Sequence, residues 1–378
     1  MKLLTEIAPA TLEGVTVIVR SGLNIPLDGE GHITDDLRLR RALPTLMYLQ
    51  NVGARVVVVA HIGRKPDETL RPIFERLATV IQKCTFSNMR IGSQELTKLV
   101  SGMGNGEVLM LENIRRESRE TENDMSLARD IAGLGQLFVS DAFPDSHRAQ
   151  PSIVGVPPLL PHCAGLALAD EVHNLRNAFT PKHPSIAFVA GSKFETKEPL
   201  IRTLLTKYDE VFVGGALAND ILVARGHAVG KSVVGDSKIP DEIRDNPKLI
   251  IPRDVIVERA SGVSIVSVSE IGADDIVVDI GPETIIELTP KIQQAQFIVW
   301  NGPMGWYEKG YTDGSRALGD AIALSSATSV LGGGDTVASI ERPEFRPEEQ
   351  FDFVSAGGGA MLEFLLDGNL PGIAVLES

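Results

Sequence analysis

Cysteine is nearly absent. Cys84 and Cys163 are the only two in 378 residues, in unrelated contexts, which excludes a disulfide framework and offers no metal-ligand spacing. Both are expected to be buried apolar side chains. No stretch approaches the ~20 consecutive apolar residues of a membrane span, and the opening MKLLTEIAPA lacks a basic segment followed by a long apolar run, so nothing reads as a secretory signal. No membrane association and a cytoplasmic location are the expectations. Solenoid and propeller periods and low-complexity tracts are also missing. No G-x-G-x-x-G opens a helix after a first strand, which weakens a nicotinamide-dependent dehydrogenase reading. The near match GHAVGKS (226–232) has three residues rather than four between its glycines and follows no expected strand, so it is set aside as a phosphate-binding loop. Basic charge is in deficit, with a net charge of −14, which argues against nonspecific nucleic-acid binding.

The chain exceeds the size at which single cores usually stop growing, roughly 250 to 300 residues, and so suggests two domains. Hydrophobic content of 43% beside 23% charged residues is that of a globular protein. The charge is uneven: residues 1–150 carry 18 Lys and Arg against 19 Asp and Glu, leaving 18 against 31 in the remainder. Arginine supplies 14 of the first 18, and its planar fork suits carboxylate and phosphate. Either an anionic ligand on the first half or an arginine-rich solvated surface fits that count.

Short β-branched runs recur with helical stretches between them. VTVIVR (15–20), RVVVVAH (55–61), EVLMLEN (107–113) and QLFVSDAF (136–143) form one series. SIAFVAGSK (185–193), EVFVGG (210–215), KLIIPRDVIV (248–257), IVVDIG (276–281), FIVWNG (297–302), TSVLGGGD (328–335) and FDFVSAGGG (351–359) form a second. The alternation predicts βαβ units and two parallel sheets. Helices are predicted over Asp35–Leu49 with an acidic cap and a kink at Pro44, over Leu70–Lys83, and over Asn123–Leu134 with Asn123 as cap. Leu168, Val172, Leu175 and Phe179 keep helical spacing in AGLALADEVHNLRNAF (164–179), which reads as an interdomain helix. Most strands finish in glycine or polar residues, and ligands of open parallel sheets bind at those carboxyl ends.

The polar strand ends carry the chemistry. Gly332-Gly333-Gly334-Asp335-Thr336 leads from a strand into a helix, where closely approaching N–H groups and the helix dipole favour phosphate, and Asp335 would hold Mg²⁺ carried by a nucleotide. Ser355-Ala356-Gly357-Gly358-Gly359 repeats that turn before a helix near Ala360. Either turn alone reads equally well as conformational; two in one domain strengthen the phosphate reading. In AGSKFETK (190–197), Lys193 and Lys197 lie one helical turn apart and suit one phosphate chain, or solvent. Asn301-Gly302-Pro303 ends another strand in a turn, and Glu308 is placed to accept ribose hydroxyls, or water. In the first half Asn24, His61, Arg64, Arg115 and Arg148 sit at strand ends or in the following loops, with Arg38 near the start of the first helix. Strand-end arginines bury poorly without an anionic partner, so this group would suit a small phosphorylated acid. His61 alone reads equally as a structural histidine.

Together these strings resemble phosphoglycerate kinase from about residue 13 onward: RSGLNIPL (20–27), ITDDLRLRRALPT (33–45), AHIGR (60–64), LENIR (111–115), SDAFPDSHRA (140–149), GSKFETK (191–197), GGALAN (214–219), DIGPET (279–284), VWNGPMG (299–305), GGGDT (332–336) and SAGGGAMLEFL (355–365). The resemblance implies two doubly wound, Rossmann-like α/β domains joined by the interdomain helix, with a cleft between them. Residues 1–163 would bind 3-phosphoglycerate, 164–179 form the helix, 180–359 bind ATP or ADP, and 360–378 return to the first domain. It implies that Asn24, Arg38, His61, Arg64, Arg115 and Arg148 bind the acid. Gly191, Lys193, Lys197, Gly214, Gly215, Asn301, Pro303, Glu308, Gly332, Gly333, Gly334, Asp335 and Thr336 would bind the nucleotide, with Mg²⁺ at Asp335. Arg38, Lys193, Gly334, Gly357 and Gly358 would act on the transferring phosphoryl. The implied activity is reversible transfer between 1,3-bisphosphoglycerate and ADP, giving 3-phosphoglycerate and ATP, by a monomer.

Departures from the family pattern are local. Gly22 stands where an aspartate is usual, Ala356 where a threonine is usual, Pro144-Asp145 in place of glycine-threonine, Arg116 in place of an aromatic, and Thr196 in place of an aspartate. They keep an alternative in view, a catalytically weakened paralogue acting as a nucleotide-binding or regulatory protein. A different acid as acceptor is a second rival. The missing carboxylate predicts weakened 3-phosphoglycerate binding that Gly22→Asp would restore, unless another group such as Asp145 has taken its place.

Overall fold

The computed structural model describes residues 1–236 and 238–377. The chain divides into two compact units, Met1–His173 together with the segment beginning at Asn369, and Asn174–Gly368.

The first unit is built on six strands, β1 Thr16–Ser21, β2 Arg55–Val59, β3 Cys84–Ser87, β4 Val108–Leu111, β5 Leu137–Asp141 and β6 His162–Ala164, in the order β3-β4-β2-β1-β5-β6. All neighbours pair parallel. Successive residues of a strand point to opposite faces, and the core follows that rule. Val17, Val19, Val56, Val58, Met110 and Val139 enter one apolar cluster, while Ile18, Val57, Val59, Leu109 and Phe138 enter another. Both faces are therefore covered, which is why these strands read as unbroken apolar runs. Burying each such side chain contributes roughly 1.5 to 3 kcal/mol.

The helix Leu37–Asn51 begins where Asp35 Oδ1 accepts the Leu37 N–H at 2.8 Å. It buries Leu39, Ala42, Leu46 and Leu49 along one face and runs without interruption through Pro44. The stretch expected as Leu70–Lys83 is helical only over Arg71–Ala78; strand β3 follows, and its Cys84 is half-buried rather than buried. Asn123 is not a cap. It adopts a left-handed φ of 57°, and Asp124 accepts the Ser126 N–H at 2.8 Å to open the shorter helix Ser126–Ala132.

The second unit carries β7 Ser185–Gly191, β8 Glu210–Gly215, β9 Leu249–Ile250, β10 Asp254–Arg259, β11 Gly262–Ser267, β12 Ile276–Ile280, β13 Phe297–Asn301, β14 Thr328–Gly332 and β15 Phe353–Ser355. Six of them form a parallel sheet in the order β15-β14-β13-β7-β8-β9. The other three form an antiparallel sheet, β11-β10-β12. The segments 248–257 and 276–281 thus differ from their expected place in the parallel series. Pro252 has no N–H to give a ladder, and the run splits there into β9 and β10.

The helix Leu166–Phe179 forms as its spacing requires, with Leu168, Val172 and Leu175 buried, and the division between the units falls within it. Residues 360–368 belong to the second unit, in the helix Gly359–Asp367; the return to the first begins at Asn369. There the Gly372 N–H donates to the Ser146 carbonyl at 2.8 Å. No described helix is long and apolar enough to cross a membrane.

Candidate functional site

In the first unit the register sets Arg20 of β1 beside Val59 of β2 and Ser140 of β5. The loops leaving those strands carry His61 and the turn Phe143–Asp145. Arg20 is 1% exposed, and every edge of its guanidinium is used. Nε donates to Ser152 Oγ at 2.9 Å and Nη1 to the Ser21 carbonyl at 2.7 Å. Nη2 lies 3.1 Å from Asp145 Oδ2. Ser152 passes its own hydroxyl proton toward Glu120 at 2.6 Å, so the buried cation stands between two buried carboxylates. Removing one partner of such a pair leaves a buried charge unpaired and typically costs about 3 to 5 kcal/mol.

His61 is also buried. Its Nδ1 lies 3.2 Å from Asp145 Oδ2 and its Nε2 3.5 Å from Arg148 Nη1. Nδ1 also lies 3.3 Å from Arg20 Nη2. With Nδ1–H the ring donates to the carboxylate and turns a lone pair to Arg148 but sets N–H against Arg20, whereas with Nε2–H it accepts from Arg20 and sets N–H against Arg148. Burial holds the imidazole below its ordinary pKa despite Asp145. Asp145 is 2% exposed; burial opposes its ionisation, but Arg20, His61 and Arg148 together hold it below the usual carboxylate range.

The remaining cations meet around Gly63. Its N–H donates to Asn24 Oδ1 at 2.9 Å, its carbonyl accepts from Arg115 Nη1, and the Asn24 carbonyl accepts from Arg38. Burial lowers the pKa of both Arg38 and Arg115, with Asp145 opposing. Asn24, Arg38, His61, Arg115 and Arg148 are thereby linked in one neighbourhood. Arg64 stands apart: its side chain is exposed, and its N–H is tied to Glu68 Oε2 at 2.6 Å.

In the second unit the register aligns Asn301, Gly332 and Ser355 across β13, β14 and β15, and Gly191 with Gly215 across β7 and β8. Gly333, with φ 98°, opens the helix Gly334–Ile340, and Gly358, with φ 48°, opens Gly359–Asp367. A side chain would be strained at both. At Gly334 and Gly359 an added Cβ would meet nothing within 4 Å, so both turns present bare backbone. Gly357 donates its N–H to Ser355 Oγ at 3.0 Å. A hydrogen-bond chain ties the strand ends together. Lys197 Nζ donates to Asn301 Oδ1 at 2.7 Å, and Asn301 Nδ2 to the Gly332 carbonyl at 2.9 Å. The Gly302 N–H donates to Thr336 Oγ1 at 2.8 Å. Burial brings Lys197 down to about 8. Lys193, the residue preceding the helix Phe194–Lys207, is exposed.

Beside these turns lies a cavity of about 350 Å³. Leu222, Val255, Val277 and Met304 give it apolar walls, with Asn219, Asp279, Glu308 and Asp335 as polar edges; Gly191, Gly215 and Pro303 also line it. Gly214 stays free of a side chain because a Cβ would fall 2.4 Å from Met304 Sδ. Asp279 accepts the Gly314 N–H at 2.9 Å and is pushed up to about 7 by burial. Asp335 Oδ1 accepts from Tyr307 Oη at 2.8 Å; burial, aided by that bond, pushes the phenol up to about 12. No group of three metal-ligating side chains occurs among the described residues. Asp335 is thus a single carboxylate, suited to a metal that arrives with phosphate oxygens of its own. In the GHAVGKS loop the Lys231 N–H donates to the Asp275 carbonyl and its ammonium pairs with Asp274.

Sequence reasoning passed over Arg20, Glu120 and Ser152. Arg20 closes a β-branched run and carried no separate signal, and its partners Asp145 and Ser152 are 125 and 132 positions away. Asp145 stood only as a substitute.

A cation-lined strand rim in one α/β unit and bare glycine turns beside an apolar cavity in the other make the site set of a phosphotransferase. The family model described as phosphoglycerate kinase matches residues 7–368. The chain is 36% identical to the phosphoglycerate kinase of Coprothermobacter proteolyticus over 99% of this chain and 98% of that one. It is 37% identical to that of Dictyoglomus turgidum over 100% and 99%. Among solved structures, phosphoglycerate kinase from Coxiella burnetii superimposes with a TM-score of 0.83 at 34% identity, covering 99% of this chain and 98% of that one. The chain belongs to the phosphoglycerate kinase family and is an enzyme of that kind. Nothing in these similarities favours the weakened paralogue.

Proposed function

We propose that the first unit binds 3-phosphoglycerate or 1,3-bisphosphoglycerate, the second binds ADP or ATP, and the chain transfers the phosphoryl group reversibly between them as a cytoplasmic monomer. One observation carries this division: Arg38, His61, Arg115 and Arg148 gather at the strand ends of one unit, and paired glycine turns beside a nucleotide-sized cavity at those of the other. Asn24 and the exposed Arg64 complete the acid side. The cavity takes the nucleoside, with Glu308 for the ribose. Lys197, Asn301 and the N–H groups from Gly332 to Thr336 take the phosphates. Mg²⁺, held by those phosphates and Asp335, neutralises charge on the nucleotide.

The transferring phosphoryl needs little covalent help, so positioning and charge stabilisation dominate. Arg38 serves from the acid side and Lys193 from the nucleotide side, joined by the N–H groups of Gly334, Gly357 and Gly358.

Two results test the division. Arg64→Ala and Arg148→Ala should each weaken 3-phosphoglycerate binding by about tenfold or more, the worth of a charge-assisted hydrogen bond, and leave ADP affinity unchanged; calorimetry showing equal losses for both ligands would contradict it. The second is a pH dependence. Phosphate binds the charged form of Lys197, and in the ligand-free protein that charge is lost as pH rises through about 8. ADP affinity should therefore fall by about tenfold between pH 7 and 9, and Lys197→Met should flatten the profile. A parent profile flat over that range would remove Lys197 from the phosphate site.

A further inference from the structure

Gly22 and Pro144-Asp145 are distant in sequence and adjacent in the fold. A Cβ on Gly22 would lie 3.1 Å from Pro144 Cδ and 3.4 Å from its Cγ. Gly22 does not have a left-handed φ, so what favours glycine there is the tight space beside Pro144 and not backbone freedom. With the Pro144 ring in place, a side chain at position 22 requires the ring to give by a few tenths of an ångström.

The carboxylate absent from position 22 is found one residue beyond that ring. Asp145 Oδ2 lies 3.1 Å from Arg20 and 3.2 Å from His61, and Oδ1 lies 3.6 Å from Arg148. Among the described residues no other carboxylate pairs with these three groups. Cations brought together before a ligand arrives repel one another, and a buried anion among them offsets that repulsion and fixes their direction.

We propose that Asp145 is the positioning residue of the acid-binding side, holding His61 and Arg148 toward the bound acid from the 143–145 turn, in the place a carboxylate at position 22 would fill from the strand. Gly22 and Pro144-Asp145 are then one concerted exchange rather than independent losses. The proposal rests on the assignment of this unit to phosphoglycerate. It also reverses the expectation for Gly22→Asp, which would press on Pro144 and set a second carboxylate beside cations already paired.

Steady-state kinetics of D145N, D145T, G22D and the triple variant G22D/P144G/D145T test it. D145N and D145T should raise KM for 3-phosphoglycerate about tenfold or more, with kcat and the KM for ATP within about threefold of the parent. G22D alone should also raise that KM, and the triple variant should return it to within about threefold. An unchanged KM in D145N, which keeps the side chain's shape, would overturn the proposal. So would a triple variant no better than D145T, or G22D binding the acid more tightly than the parent. A parent that binds no phosphoglycerate would overturn the assignment of the unit as well, whereas a parent that binds it no better than D145N does overturns only the role of Asp145.

Discussion

Replacing Arg38 by alanine should lower kcat by about 10² to 10³, the usual loss when one preorganised donor is removed from a developing charge. Its guanidinium is half-buried, tied to the Asn24 carbonyl, and near Asp35 and Asp145. It is therefore held in place before substrate arrives rather than recruited by it. Burial lowers its pKa, but arginine starts so high that the charge persists throughout the working range. Lysine should restore little, because a single ammonium cannot replace the planar fork. Single-turnover rates with saturating ligands measure the effect. A normal rate with only a raised KM for 3-phosphoglycerate would make Arg38 a binding residue and nothing more.

The second large effect is expected at Lys193. Alanine there should reduce kcat by about 10² or more while nucleotide affinity stays within several-fold, because the group acts mainly in the transition state. The two lysines of GSKFETK differ in a way their spacing did not show. Lys197 is half-buried and already bonded to Asn301, so it belongs to the resting phosphate platform. Lys193 is exposed at the start of its helix, and no side-chain partner holds it among the described residues. A mobile ammonium at that place can follow charge as it moves from one oxygen to the next. If Lys193→Ala changed only the KM for ATP, the two lysines would share one role.

The architecture was legible because its signals are local. Valine-rich runs ending in glycine or polar residues give strands buried on both faces, and their register then brings those ends together without further information. Where one residue sufficed, as at Gly333 and Gly358 with their positive φ, the sequence pointed straight to the turn. What it hid depends on contacts across the fold. Of the antiparallel sheet β11-β10-β12, β10 was absorbed into the parallel series because Pro252 was read inside a continuous run, β12 was placed there as well, and β11 was not foreseen. Asn123 looked like a cap, yet its left-handed φ leaves that task to Asp124. Arg20 looked like a strand residue until Ser152, Glu120 and Asp145 closed around it. The meaning of Gly22 also lay elsewhere, in the Pro144 ring that occupies the space beside it.

The most direct measurement is turnover itself. Purified protein with Mg²⁺, ATP and 3-phosphoglycerate, coupled to reduction of the acyl phosphate, should consume NADH at a rate proportional to enzyme concentration, and ADP with 1,3-bisphosphoglycerate should yield ATP. A folded protein that binds nucleotide and turns over in neither direction would contradict the function assigned to the two sites.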